Sequence, residues 1–295
     1  MLISICMCTY KRLHLANTLE SIAKLILPDS VSLEVVVVDN DEKCSGQHII
    51  NQFDGNYPHY LVYKSEPKKN ISSARNMCLS EAKGEWLAFI DDDEVADENW
   101  LIALLNTATT YDAQVVFGKV ISTYPPNTPN WIIEGGFFDR KERVSGSIVS
   151  SGACNCTLVS QSVIDGQLFD LAYGLSGGED ADFFHRIYKK GFKLVTSQEA
   201  IVSEEVEVSR LNLAYLQKRH FRIGGSFSKY RYENTTKFIK SKYILKMLTT
   251  LSLNTIFLFF SCFQGRIKRN KALLKVYDNL GKLCFFINSN IKSMY

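Results

Sequence analysis

Several features are scarce or missing in this chain of 295 residues, and each omission excludes something. No two of the eight cysteines form a C-x-x-C pair, which argues against a zinc ribbon or a redox dithiol. Cys6 and Cys8 alternate along an apolar run, and Cys154 and Cys156 have the same spacing. Both pairs suit buried thiols in a reducing, cytosolic compartment, without disulfides. Only six prolines are present, three of them within TYPPNTPNW at 123–131, which reads as a loop. There is no internal repeat and no low-complexity segment. The apolar start MLISICMCTY is followed by Lys11 and Arg12, the reverse of a secretory signal's charge order. Acids are nearly absent after Thr236: eleven Lys/Arg face the single acid Asp278, a balance of +10, against −7 for residues 1–235. An acidic body with a basic tail implies two tasks, and the tail suits an anionic surface. Long hydrophobic runs are scarce. The stretch MLTTLSLNTIFLFFSCF, 247–263, has 17 residues without charge, at the short limit for a membrane span and diluted by Thr, Ser and Asn. An in-plane or re-entrant helix pinned by basic residues fits it equally. Nucleic acid is not an expected partner, because the basic charge lies beside apolar residues rather than on a separate stacking surface.

What is present alternates in type. LISICMCTY, LEVVVVDN, HYLVYKSE and EWLAFI read as strands, and the helical patterns KRLHLANTLESIAKL, NISSARNMCLSEAKG and ENWLIALLNTA fall between and after them. This implies an α/β chain with a parallel, doubly wound sheet through about residue 120. Gly84 and Gly191 are placed as helix terminators. GSIVSSGACNCTLVS suggests one or two strands, and GGEDADFFHRIYKKG a helix whose acids come first and lysines last, complementing its dipole.

The segment WLAFIDDDEVADENW, 86–100, sets four consecutive acids at the end of a buried strand. Ligands of open α/β sheets bind at the carboxyl ends of strands. Three strands end here in functional groups: Thr9-Tyr10, Asp39-Asn40 and Asp91-Asp92-Asp93. Crowded carboxylates are relieved by a divalent cation, and oxygen donors select Mg²⁺ or Mn²⁺, which usually comes with substrate phosphates. A solvated acidic loop with Asp97 capping a helix is the alternative use of the same residues.

SICMCTYKR, VVVVDN, NISSARN, FIDDDE and GGEDADFFHR occur in the order and spacing of the family 2 glycosyltransferases, and residues 3–225 resemble that family. The likeness extends to bacterial exopolysaccharide enzymes of the succinoglycan type. The resemblance implies a GT-A fold, a Rossmann-like and mostly parallel sheet flanked by helices, over a catalytic domain 1–235. A helical, membrane-associating tail, 236–295, would follow. It implies inverting transfer of a single sugar from a UDP-sugar to a lipid-linked or glycan acceptor at the cytoplasmic face of the bacterial inner membrane, in contact with anionic lipids.

Carried onto this sequence, the resemblance has Thr9, Tyr10 and Arg12 bordering the nucleotide and Asp39 on the uracil edge. Arg75 would lie near the nucleotide or diphosphate and Asp92 near the ribose. Asp91 and Asp93 would form the D-x-D pair, with Asp93 a direct ligand of Mg²⁺ or Mn²⁺. Asp180 would be the catalytic base, Glu179 would position the acceptor or base, and Arg219 and Arg222 would close over the diphosphate. His185 is expected to be structural. The chain departs from the family in two places. AIVSEEVEV has Glu204 and Glu205 where many GT-A enzymes supply a histidine to the metal, and LQKRHFRIGGS lacks the Q-x-x-R-W of processive synthases. A nucleotidyltransferase would need a glycine-rich basic loop after the first strand, and CTYKRLHLAN has no glycine. A non-catalytic, membrane-bound partner in glycan assembly is the other alternative.

Overall fold

The computed structural model describes residues 1–53 and 55–287. Its strands are β1 (Leu2–Thr9), β2 (Ser32–Asp39), β3 (Tyr60–Ser65), β4 (Trp86–Phe89), β5 (Glu94–Ala96), β6 (Val115–Thr123), β7 (Thr157–Ser160) and β8 (Leu194–Glu205). Its helices are α1 (Leu15–Ile22), α2 (Gln47–Phe53), α3 (Ile71–Glu81), α4 (Trp100–Thr110), α5 (Asn130–Gly135), α6 (Gln161–Ile164), α7 (Glu179–Lys189), α8 (Leu213–Tyr232), α9 (Lys237–Ser261) and α10 (Arg266–Ile287). The chain forms two compact units. The first comprises Met1–Ile121, Arg140–Leu175 and Glu179–Glu205; the second comprises Ser122–Asp139, Ser176–Gly178 and the chain from Val206 onward.

The first unit carries a sheet of order β3-β2-β1-β4-β7-β6-β8-β5. β1 to β4 pair in parallel, while β7 runs antiparallel to both β4 and β6, and β5 antiparallel to β8. The α/β architecture is the expected one, but the sheet is mixed, and the parallel part ends at β4. Alternating side chains explain how it is covered. Ile3, Ile5 and Met7 of β1 and Val35 and Val37 of β2 pack with Leu15, Leu19, Trp100 and Leu104. Cys6, Val36 and Val38 point the other way, onto Ala74, Cys78, Phe183 and Phe184. Residues buried on both faces make β2 read as an unbroken Val run.

Local departures from the sequence reading have physical causes. α1 stops at Ile22, short of the end of the helical pattern, and Ile26 beyond it is exposed. α3 ends at Glu81, with Ala82 already extended, so Gly84 does not terminate it. Gly84 is required for close approach instead: a Cβ there would lie 2.5 Å from the Ser4 backbone nitrogen. Gly191 does follow α7 with φ +92°, in the left-handed region open to glycine. Cys154 and Cys156 precede β7 rather than alternating within it, and Cys156 has φ +53°. All eight cysteines are free thiols.

The second unit is built on α8, α9, α10 and α5. Its compact boundary at Val206 takes in α8 as well as the helices after residue 236. α8 and α10 approach closely through glycines. A Cβ on Gly224 would lie 2.0 Å from the Asp278 carbonyl oxygen, and one on Gly281 would lie 1.9 Å from that of Phe221. Ile132, Phe138, Leu216 and Leu274 form one apolar cluster of this unit, and Tyr243, Met247 and Leu283 another.

Candidate active site

Parallel pairing puts Thr9 opposite Asp39 at the ends of β1 and β2, and the Ile90 amide still donates to the Cys6 carbonyl as β4 finishes beside them. The acidic run therefore leaves the sheet at the carboxyl edge of its parallel part. Each acid there has a different partner. Asp92 is buried and accepts from Thr9 Oγ1 at 2.7 Å, Asp93 pairs with Arg12 at 3.0 Å, and Asp91 lies 3.8 Å from the Arg75 guanidinium.

Arg75 arrives from a well-defined helix start. Asn40, at the end of β2, donates to the carbonyls of Glu66 and Lys68 and accepts from the Asn70 amide. Asn70 then caps α3 by accepting from the Ser73 amide at 3.1 Å. One turn further on, Arg75 is buried, and its Nη1 donates to Glu179 Oε1 at the first turn of α7. The same guanidinium thus faces both Asp91 and Glu179, the latter 104 residues further along the chain than Arg75. Burial alone would drive its proton off; the neighbouring carboxylates of Glu179, Asp180 and Asp91 help to hold it on. Asp180 is half-buried, beside the fully packed Phe183 and Phe184, and its Oδ1 accepts from the Ala181 amide.

The carboxylates repel one another in a poorly solvated place. Burial pushes the Asp92 carboxyl up to about 7, although the Thr9 hydrogen bond pulls it down. Burial pushes Asp91 up to about 6, opposed by Arg75 and assisted by Asp93 and Glu204. Glu179 is also raised by burial, against the pull of Arg75, and its Oε2 is buried without a hydrogen-bond partner.

The structure adds residues that the sequence reading did not assign. Glu94 accepts from the Asp91 amide and from Asn155 Nδ2, both at 2.9 Å, while Arg140 Nη1 donates to Asn155 Oδ1 at 3.1 Å. Glu94, Asn155 and Arg140 therefore fix the backbone from which Asp91 projects. Nothing local in ACNCT or DRKER signals this, since the partners meet only through β7 and the residues before it.

Asp39 occupies an unexpected environment. It is fully buried, with Oδ1 accepting from the Asp41 amide and Oδ2 from the Gly46 amide and the Tyr63 hydroxyl. It braces the loop 40–46, and both of its oxygens are engaged within the protein. Tyr10 is exposed, with Lys11 Nζ 5.0 Å and Lys69 Nζ 4.8 Å from its ring centroid. Arg219 and Arg222 belong to the second unit, where Arg219 lies over the Phe138 ring and Arg222 against Gly177. His185 is buried, with Nδ1 3.1 Å from the Ser150 carbonyl.

Among the described residues, no group of three or more His, Cys, Asp or Glu side chains is arranged as a metal cage. The donor chemistry at the end of β4 still fits a hard divalent cation. Asp91 and Asp93 offer carboxylate oxygens in a place where buried negative charge is under-compensated. Mg²⁺ commonly takes one or two carboxylates and completes its shell with phosphate oxygens and water.

Residues 4–166 match the family described as Glycosyl transferase family 2. The chain belongs to that family. It is 40% identical over 224 residues to the succinoglycan biosynthesis protein ExoM of Rhizobium meliloti, covering 75% of this chain and 72% of the relative. It is 23% identical over 238 residues to a glucosyl-dolichyl phosphate glucuronosyltransferase of Haloferax volcanii, covering 75% and 74% of the two chains. Among solved structures, S. aureus TarS 1-349 in complex with UDP-GlcNAc superposes with a TM-score of 0.57 at 14% identity, covering 97% of this chain and 92% of that one. At that identity the likeness speaks for the fold. This glycosyltransferase thus shares its fold with TarS and 40% of the aligned sequence with ExoM.

Proposed function

We propose that this glycosyltransferase moves one sugar from a UDP-sugar to a hydroxyl of a lipid-linked or glycan acceptor, with inversion, in cell-surface polysaccharide synthesis. The observation that carries the reading is Arg75, whose guanidinium faces Asp91 of the acidic run and Glu179 of α7 together. Donor and acceptor chemistry would then share one site. The biosynthetic setting is supported by the likeness to ExoM, and a UDP-sugar donor by the UDP-GlcNAc in the TarS complex.

In this reading Thr9, Tyr10 and Arg12 border the nucleotide, and Asp39 holds the loop against which the base lies. Asp92, tied to Thr9, faces the ribose. Asp91 and Asp93 would hold Mg²⁺ or Mn²⁺, which when bound would supply positive charge to the diphosphate leaving group. Asp180 accepts the acceptor's proton as the hydroxyl oxygen attacks the anomeric carbon from the face opposite the diphosphate. The bond to the diphosphate breaks, and UDP leaves with the electron pair. Glu179, fixed by Arg75, positions that reaction. Arg219 and Arg222 serve the diphosphate. Work on a lipid-linked acceptor at the cytoplasmic face of the inner membrane accords with the basic, apolar helices of the second unit.

The test is UDP release by purified full-length protein across a panel of UDP-sugars, with and without chelator. Release with one donor, abolished by chelator, is the expected result. UDP binding without release from any donor would favour a non-catalytic role in glycan assembly.

A further inference from the structure

α9 is long and apolar enough to cross a bilayer by length and composition alone, but the way it packs points elsewhere. It carries large apolar side chains on both of its sides. Tyr243, Met247 and Ser261 are buried against the rest of the second unit, with Thr250 and Asn254 half-buried on the same side. The opposite side carries Phe238, Leu245, Ile256, Phe259 and Phe260, all exposed, at helical spacings that keep them in one stripe. Phe263, just past the helix, extends the stripe and is 80% exposed. Large apolar side chains thus face outward, with exposed Thr249 and Ser252 among them, as well as inward, unlike a helix that serves only the core.

The charges nearby match one occupant. Lys242, on the stripe near its start, and Lys246, beside it, are exposed, and Arg266, Lys268, Arg269 and Lys271 are exposed immediately after it. Basic residues framing an apolar face fit an anionic lipid surface, and each one near that surface strengthens binding roughly five-fold.

Packing also decides the mode. Tyr243 stacks on Tyr232 at 3.9 Å and lies 5.7 Å from Phe286, so the start of α9 is held to α8 and α10. Further along, Lys275 of α10 lies 5.6 Å from the Phe257 ring centroid, and Lys282 pairs with Asp278 on the same helix. If α9 crossed the bilayer, these charges of α10 would enter the hydrocarbon beside it, which is strongly unfavourable. Only the outward stripe is free of that conflict.

We propose that α9 lies in the plane of an anionic membrane, its Phe238–Phe263 stripe sunk into one leaflet and its flanking lysines and arginines on the headgroups. This rests on the reading of membrane attachment and specifies its face and depth. The test uses full-length protein with phosphatidylcholine vesicles, with and without phosphatidylglycerol, in flotation. Wild type should float with the anionic vesicles. The double variant Phe259→Glu/Phe260→Glu should partition at least ten-fold more weakly, with an unchanged urea midpoint because both residues are exposed. Ile256→Gln, a milder change on the same stripe, should weaken binding in the same direction.

Depth is read separately, from Leu245→Trp and Phe260→Trp in vesicles brominated at shallow or deep acyl positions, as added quenching over wild type. The two sites lie 15 residues apart, roughly 22 Å along the helix. Lying in plane, both should be quenched more by shallow bromines and to similar extents; a spanning helix would separate them in depth and overturn the proposal. If wild type floats and the stripe variants float equally well, attachment stands and this face is the wrong one. If wild type does not float at all, attachment itself fails. A lipid-free dimer lost in the same variants, without flotation, would assign the stripe to a second copy of the chain and also overturn the proposal.

Discussion

Asp92 gives this site a pH signature that can be measured without any substrate. Burial raises its carboxyl from 3.8 to about 7, and the side chain is only 8% exposed, so the shift reflects a real desolvation cost. Asp91, whose side chain is 45% exposed, is screened by water and contributes little to this dependence. An acid whose folded pKa lies above its unfolded one keeps in the fold a proton that the unfolded chain has released. Stability is therefore full below the unfolded value near 4, falls as pH rises through 7, and levels off above that. A rise of roughly three pH units corresponds to about 4 kcal/mol, of which about 3 kcal/mol is lost between pH 5 and pH 8. Asp92→Asn retains an acceptor for Thr9 Oγ1 and carries no charge. In EDTA it should be more stable than wild type by about 4 kcal/mol at pH 8, with the margin shrinking to about 1–2 kcal/mol at pH 5. Adding Mg²⁺ or Mn²⁺ should stabilise wild type much more at pH 8 than at pH 5. Urea unfolding followed by circular dichroism measures all of these. Parallel pH profiles for mutant and wild type, or a cation effect equal at the two pH values, would refute the reasoning.

Three further outcomes are expected. Asp93→Asn should lower UDP release by several kcal/mol of barrier, on the order of 10²-fold or more, with unchanged circular dichroism, because an amide binds a hard cation poorly. Asp180→Asn should bind donor normally by calorimetry and lose transfer by about 10²–10⁴-fold; near-normal transfer would move the base to Glu179 or Asp182. Asp39→Asn turns an amide group toward donors that now meet carboxylate oxygens, so urea unfolding should register a loss of about 1–3 kcal/mol and nucleotide affinity should fall with it.

The parallel half of the fold was legible because β1 and β2 are buried on both faces, which leaves unbroken apolar runs ending at the residues that matter. The start of α7 was legible from the order of its charges. The antiparallel half was not. β5 is three residues, Glu94–Ala96, inside what reads as an acidic loop, and it forms only by pairing with β8 more than 100 residues later. The supports of the acidic run were equally hidden, since Glu94, Asn155 and Arg140 acquire a purpose only from one another. Asp39 marks the limit of motif reading. Its place at a strand end was visible, but the loop amides that engage its oxygens come from Asp41 and Gly46, whose conformation no spacing reveals.

Arg75 makes the two carboxylate groups a single electrostatic object. One positive charge lies against both Asp91 and Glu179, so the two acids share it. Neutralising Asp91 leaves the whole guanidinium to Glu179, and neutralising Glu179 leaves it to Asp91. Substitutions at these two positions will therefore not add, and a double-mutant cycle between them should return a sizeable coupling energy although they belong to different motifs. The same sharing predicts that changes at 75, 91 and 179 are tolerated better together than singly.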